Sequence, residues 1–339
     1  MIDLRSDTVT KPTPGMLEAM MTAEVGDDVF NEDPTVLKLQ ERIAAVFGME
    51  AALYCPSGTM TNQIALRINT RPQDEVICDQ KSHIYLYEGG GIANNSLISA
   101  KLLPGERGIL TPELIADGIN PDDIHFPVST LVSLENTMNK GGGCYYRNQQ
   151  IREIADFCKS KGLKLHLDGA RVFNAFAETG EDKSEYGKYF DTISVCFSKG
   201  LGAPVGSALL GNADAIRQAR RVRKVFGGGM RQAGYLAAGC IYALDNHVDR
   251  LKEDHRRASL LGQTFENLSI TKKVLPVETN IVIVELQDEY SPDQILAKLK
   301  EHQIYAVPFG KKEIRFVTHL DFSEDQLDQA VDIIRSIDF

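Results

Sequence analysis

The segment Ser194-Val195-Cys196-Phe197-Ser198-Lys199-Gly200-Leu201-Gly202 carries an apolar run straight into a lysine, then into glycines that forbid a long regular element. A lysine at such a strand end, shielded by apolar neighbours, is placed to form a Schiff base with a carbonyl cofactor. Taken alone, it reads more readily as a surface lysine in a turn. A second segment, Leu163-Lys164-Leu165-His166-Leu167-Asp168-Gly169-Ala170-Arg171, reads as a strand ending in Asp-Gly-Ala-Arg. Asp168 stands 31 residues before Lys199, which leaves room for one crossover between neighbouring strands. An aldehyde cofactor with an aromatic ring nitrogen needs a carboxylate beside that nitrogen, because the protonated ring is the electron sink. In a third segment, Tyr54-Cys55-Pro56-Ser57-Gly58-Thr59, an extended run opens into a helix, so backbone N–H groups and two hydroxyls can converge on an anion. Each segment also has an ordinary reading, as a turn or an N-cap. Their conjunction (phosphate cradle, ring acid and lysine in one chain order) meets the requirements of pyridoxal 5′-phosphate (PLP).

The elements that must carry these residues follow from periodicity. Apolar runs suited to buried strands alternate with helix-period segments, the signature of a mainly parallel sheet covered by helices. Asp33-Pro34 reads as an N-cap followed by an N1 proline; Val36, Leu39, Ile43, Val46 and Phe47 mark one helix face, and Gly48 ends it. Ala51–Tyr54 reads as extended and Thr59–Arg67 as helix. Further strands are expected at Glu75–Cys78, Leu131–Leu134, Leu163–Leu167, Thr192–Cys196 and Val205–Leu210, with a helix at Ile151–Lys161. From about Asp245 the character changes. A charged helical stretch, Asp249–Glu266, leads to Asn280–Leu286, another helix and the strand Ile314–Thr318. The expected division is therefore a large domain over 1–245 and a small α+β domain over 246–339, with the N-terminal fifteen or so residues free to pack on the latter.

Bulk properties exclude several classes. A chain of 339 residues has ample length for two domains and needs no staples. Its net charge of −10 argues against a surface built for nucleic acid. Six scattered cysteines form no C-x-x-C pair, so neither a zinc site nor a disulfide framework is expected, and no metal ligand set is assigned. No apolar h-region opens the chain, and no apolar run approaches the roughly 18–20 residues that cross a bilayer. The expectation is a soluble cytoplasmic protein with no membrane or nucleic-acid partner. A nicotinamide dehydrogenase would need G-x-G-x-x-G between its first strand and helix, and the chain has none; nor has it a G-x-x-x-x-G-K-[ST] phosphate loop.

At this point the chain resembles a known family. The order of the three segments is that of fold-type I PLP enzymes: α/β, a mainly parallel seven-stranded sheet flanked by helices, and a smaller C-terminal α+β domain. More narrowly, it is similar to the low-specificity L-threonine aldolases of the β-eliminating lyase superfamily. The resemblance rests on Asp3-Leu4-Arg5-Ser6-Asp7-Thr8-Val9-Thr10, Val25-Gly26-Asp27-Asp28-Val29, Glu32-Asp33-Pro34-Thr35, Ser57-Gly58-Thr59, Ser133-Leu134-Glu135-Asn136-Thr137, His166–Arg171, Ser198–Gly206, Gly227–Gln232 and Arg315-Phe316-Val317-Thr318-His319. It implies that Lys199 holds PLP, that Asp168 pairs with the ring nitrogen, and that Ser57, Gly58 and Thr59 grip the phosphate. It implies further that His83 stacks on the ring, and that Ser6, Arg171 and Arg315 hold the substrate carboxylate. Planar guanidinium groups suit that task, since they bind a carboxylate bidentately and fix its orientation.

His83 and His125 are the histidines expected to act on the substrate, His83 or a water that it orders with His125 serving as base. His247, His255 and His302 are expected to be structural or surface residues. The basic stretch Arg217, Arg220, Arg221, Arg223 and Lys224 reads as a solvated helix face. Arg231, after three glycines, resembles the family arginine that reaches the phosphate of a neighbouring subunit, which implies a homodimer or homotetramer with active sites at the subunit interface. The resemblance frays at Phe30-Asn31 and at Met138, where the family carries tyrosine-glycine and histidine, and this puts the substrate range in question. β-Elimination or transamination on the same scaffold is the rival chemistry, because the cofactor residues are shared.

Overall fold

The computed structural model describes residues 1–339. Seven strands build the larger sheet: Ala51–Cys55 (β1), Asp74–Asp79 (β2), Ser99–Leu103 (β3), Val128–Glu135 (β4), Lys164–Gly169 (β5), Thr192–Cys196 (β6) and Ser207–Gly211 (β7). Their order across the sheet is β1-β7-β6-β5-β4-β2-β3. Five neighbours, β3, β2, β4, β5 and β6, run parallel; β7 runs antiparallel to both β6 and β1. Every residue of β6 and β7 is buried, as expected of strands covered on both faces, and the hydroxyls of Thr192 and Ser194 in β6 are bonded to Asn69 and Thr61.

Helices pack on both faces. The helix Pro34–Val46 (α1) starts where its signals place it: Asp33 accepts hydrogen bonds from the amides of Thr35 and Val36, and Pro34 occupies the first turn. The helix Gly58–Asn69 (α2) is capped by Ser57, which accepts from the Met60 amide. A single turn, His83–Leu86 (α3), follows β2. The helix Leu251–Glu266 (α4) joins the two cores, with Leu251 in the larger one and Ala258, Leu261 and Phe265 in the smaller.

The smaller core gathers around a four-stranded antiparallel sheet made of Thr271–Val274, Ile281–Leu286, Val307–Pro308 and Glu313–Val317. The N-terminus contributes to it. Ile2 and Leu4 are buried in this core, and Ile2–Asp3 pairs in parallel with Ile304–Tyr305. No helix is long and apolar enough to cross a membrane.

One expectation about the surface is corrected. The basic stretch does lie on a helix, Ala213–Val225, but Arg223 is buried rather than solvated. It pairs with Asp28 at 2.7 Å and donates to the Tyr54 carbonyl at 2.6 Å, because the helix packs this side against β1.

Candidate active site

Four residues stand at or just past the carboxyl ends of adjacent parallel strands: His83 after β2, Glu135 at the end of β4, Asp168 near the end of β5 and Lys199 after β6. That edge is where open α/β sheets bind ligands, since the loops diverge there and leave a crevice. Helix α2 is bolted to the same edge. Thr61 Oγ1 lies 2.6 Å from Ser194 Oγ, and Asn62 donates to Asp168 Oδ2 at 2.9 Å. The first-turn amides of α2, which have no intrahelical acceptor, therefore open beside Asp168 and the Lys199 loop.

The carboxylates form a buried group around His83. Glu88 Oε1 lies 2.9 Å from His83 Nδ1. Glu135 accepts from the backbone amides of His83 at 2.7 Å and of Asn139 at 2.9 Å. Burial, with the charge of Asp168 beside it, pushes the Glu135 carboxyl well above the usual range. Burial pulls the His83 imidazole down, but the hydrogen bond to Glu88 and the charges of Asp168, Glu88 and Glu135 more than offset this, so the net direction is up. His83 Nδ1, Glu88 and Asp168 offer ligand atoms within 4.8 Å of one another, a spacing that would also suit a metal ion. Here both amide hydrogens of Asn62 lie between the two carboxylates, so hydrogen bonds already account for the arrangement.

The cationic side of the crevice comes from the smaller core. Arg315 donates to Asn139 Oδ1 at 2.8 Å and to the Arg5 carbonyl at 3.0 Å, and it lies over the Phe309 ring. Its Nε is buried with no partner in the chain. Burial and the neighbouring charge of Arg171 pull the Arg315 guanidinium down to about 10. Two guanidinium groups held this close, one with an unspent donor, make an anion site. Arg171 is itself tied by a bidentate pair to Asp7, both bonds at 2.7 Å. Burial raises the Asp7 carboxyl, but the Arg171 charge and hydrogen bonds hold it far below the ordinary range. Ser6 spends its hydroxyl accepting from the Thr8 amide and hydroxyl. The donor set fits PLP: an acid for the ring nitrogen, a lysine one strand over, a capped helix start for the phosphate, and a spare buried guanidinium donor for a bound amino acid.

The comparisons with known proteins follow this geometry. The family model described as "Beta-eliminating lyase" matches residues 3–289. The chain belongs to the beta-eliminating lyase family. A low specificity L-threonine aldolase of Escherichia coli strain K12 is 44% identical over 334 residues, covering 96% of each chain. A probable low-specificity L-threonine aldolase 2 of Arabidopsis thaliana is 37% identical, covering 99% of this chain and 97% of the relative. Among solved structures, a threonine aldolase of Leishmania major superposes with a TM-score of 0.86 at 23% identity, with 99% of each chain covered. A Sphingomonas wittichii serine palmitoyltransferase superposes with a TM-score of 0.76 at 18% identity over 99% of this chain and 86% of that one. At those identities the superpositions speak for the fold.

Within this beta-eliminating lyase chain, the structure gathers some of the expected residues and leaves others apart. Lys199, Asp168, His83, Arg171 and the Ser57–Thr59 turn lie along one edge of the larger sheet, and Arg315 comes from the smaller sheet. His125 does not join them: it is largely exposed, and its ring and amide both bond to Asp123 in the same loop. Arg231 is half exposed, 3.6 Å from Asp27. Phe30 is 71% exposed on the adjoining loop. Met138 is fully buried and faces Gly108, so it leaves no group in the open crevice. His247 and His255 are buried structural residues, bonded to the Leu201 carbonyl and to Asn174 and Glu178. Glu88 and Asn62 carry no expectation from the sequence. The available signals were an acid five residues past His83 and an asparagine one turn past Thr59, and neither is distinctive.

Proposed function

We propose that the protein is a PLP-dependent lyase that cleaves β-hydroxy-α-amino acids, L-threonine and L-allo-threonine, to glycine and an aldehyde by breaking the Cα–Cβ bond. The observation that carries this reading is the meeting of an acid, a lysine and a histidine at one sheet edge opposite an arginine pair, in a family whose relatives bear the threonine aldolase name.

In this reading Lys199 would hold the cofactor through its side-chain amine, Asp168 would pair with the ring nitrogen, and Ser57, Gly58 and Thr59 would hold the phosphate. PLP, when bound, supplies a conjugated ring that takes up the electron pair released at Cα. Arg315 spends its free Nε on the substrate carboxylate, with Arg171 and Ser6 beside it. That grip fixes which bond at Cα can break. His83 Nε2, the ring nitrogen not facing Glu88, takes the proton of the β-hydroxyl. The aldehyde leaves with the β carbon, and return of the proton held by His83 to Cα balances the reaction to glycine.

Self-association as a homodimer or homotetramer belongs to the same proposal. The half-exposed Arg231 is the group this reading directs toward a second copy's phosphate. A cytoplasmic location and the division at residues 245 and 246 are retained with it.

Aldehyde release from both threonine diastereomers by PLP-loaded protein tests the reading. We expect release that is lost in Lys199→Ala. Ammonia or a keto acid in place of aldehyde would replace the aldolase reading with β-elimination or transamination.

A further inference from the structure

A chain of hydrogen bonds runs through the buried side of the site and can be followed proton by proton. Asn69 Nδ2 donates to Thr192 Oγ1 at 2.8 Å, and His166 Nδ1 lies 2.9 Å from that hydroxyl and 3.1 Å from the Thr192 carbonyl oxygen. Burial pulls His166 down to about 4, which leaves it neutral. His166 Nε2 faces Asn62 Oδ1 at 3.2 Å. The two carboxylates set the amide: Nδ2 points its two hydrogens at Asp168 Oδ2 and Glu88 Oε1, each at 2.9 Å, and Oδ1 is turned toward the histidine. The flipped amide would set an oxygen against two carboxylates.

Glu88 receives a second donor, Gln63 Nε2, at 2.6 Å, and Gln63 is oriented in turn by Asn95 Nδ2, which donates to its Oε1 at 3.1 Å. A fully buried carboxylate with donors on both oxygens is an acceptor and has no proton to give. His83 Nδ1, 2.9 Å away, must then be the donor.

We infer that Glu88 is a positioning residue that fixes His83 as the Nδ1–H tautomer and leaves Nε2 as the nitrogen that takes the substrate proton, with Asn62 coupling this choice to Asp168. The inference rests on the function proposed above for His83. It assigns roles to two residues, Glu88 and Asn62, that touch neither substrate nor cofactor. A proton arriving at Nε2 creates an imidazolium whose charge faces Glu88 directly, with Asp168 and Glu135 behind it and the Tyr87 ring 5.6 Å away. The same carboxylate therefore orients the neutral ring and stabilises its protonated form.

The test is 15N solid-state NMR of histidine-labelled holoprotein, with His83 assigned by difference against His83→Gln. We expect wild-type His83 to show a protonated Nδ1 and a bare Nε2. In Glu88→Ala the acceptor 2.9 Å from Nδ1 is gone, and the preference for the Nδ1–H form should be lost, with the Nε2–H form appearing. In turnover the same variant should lose about 100-fold in kcat, in the range of general-base effects. KM should change little, and the acid limb of the kcat/KM profile should move to lower pH. An Nε2–H tautomer in the wild type, or an Nδ1–H preference unchanged in Glu88→Ala, overturns the inference without reference to activity. If the tautomer behaves as expected but His83→Gln still releases aldehyde at full rate, the role given to Glu88 stands and the base assignment falls.

Discussion

At the scale of the residue, the site shows how much of a group's behaviour is set by what it is bonded to. His166 lies at the centre of β5, wholly buried, and burial holds its imidazole at about 4 against an ordinary 6.5, with the charge of Asp168 opposing this. The sign follows from linkage. Between pH 6.5 and 4 the unfolded chain binds a proton that the folded chain refuses, so this residue makes stability fall as pH falls through that window. Between pH 7 and pH 5 the effect is about 2 kcal/mol. Urea unfolding of wild type and His166→Gln at both pH values checks it: the variant should lose less stability on acidification, and an equal loss would refute the assignment. Lys199 and Asp168 were legible in the sequence because each follows an apolar run with a residue type that has chemistry to do, whereas His83, four polar residues past its strand, was singled out by the family resemblance. Asn62 and Glu88 were not. An asparagine in a helix and a glutamate before glycines look ordinary until the fold brings them between two strands.

At the scale of the element, the same contrast holds for secondary structure. The strand Thr192–Cys196 was legible residue for residue, since a run buried on both faces has sharp polar ends. Ser99–Leu103 escaped notice because it is the edge of the sheet and grades from an exposed Ser99 through three half-buried residues to a buried Leu103, so it has neither an apolar run nor a clean alternation. Gly234–Asn246 also escaped, being rich in alanine and glycine with little polar face to mark a period. Asp33 shows that a legible cap can do more than cap. One carboxylate oxygen takes the Thr35 and Val36 amides of α1; the other takes the amides of Gly26 at 3.2 Å and Gly234 at 2.8 Å. Asp33→Ala should therefore cost about 3 kcal/mol, more than a simple cap, because buried N–H groups on three segments lose their acceptor together. Denaturant unfolding measures this. A cost under about 1 kcal/mol would mean that only the helix end is served.

At the scale of the whole molecule, two cores are joined by few covalent crossings, and the first seven residues link them a second time. Ile2 and Leu4 fill the smaller core, while Asp7 closes on Arg171 in the larger. Deleting residues 2–7 should leave Arg171 unclamped and the smaller core short of two apolar side chains. We expect calorimetry to show a lower-melting transition separate from the main one, where the intact chain shows a single one. One unchanged transition would remove the N-terminus from this role. All six cysteines lie between residues 55 and 240, and each is buried. Burial pushes the thiols of Cys55, Cys78, Cys144 and Cys158 up to about 12 and that of Cys240 higher still, far from the reactive thiolate. The smaller core holds none. A thiol reagent added to the native protein is therefore a clock for the larger core, and Cys144, next to the Gly143 carbonyl that accepts from Thr279, is the thiol that would register an excursion of the C-terminal unit.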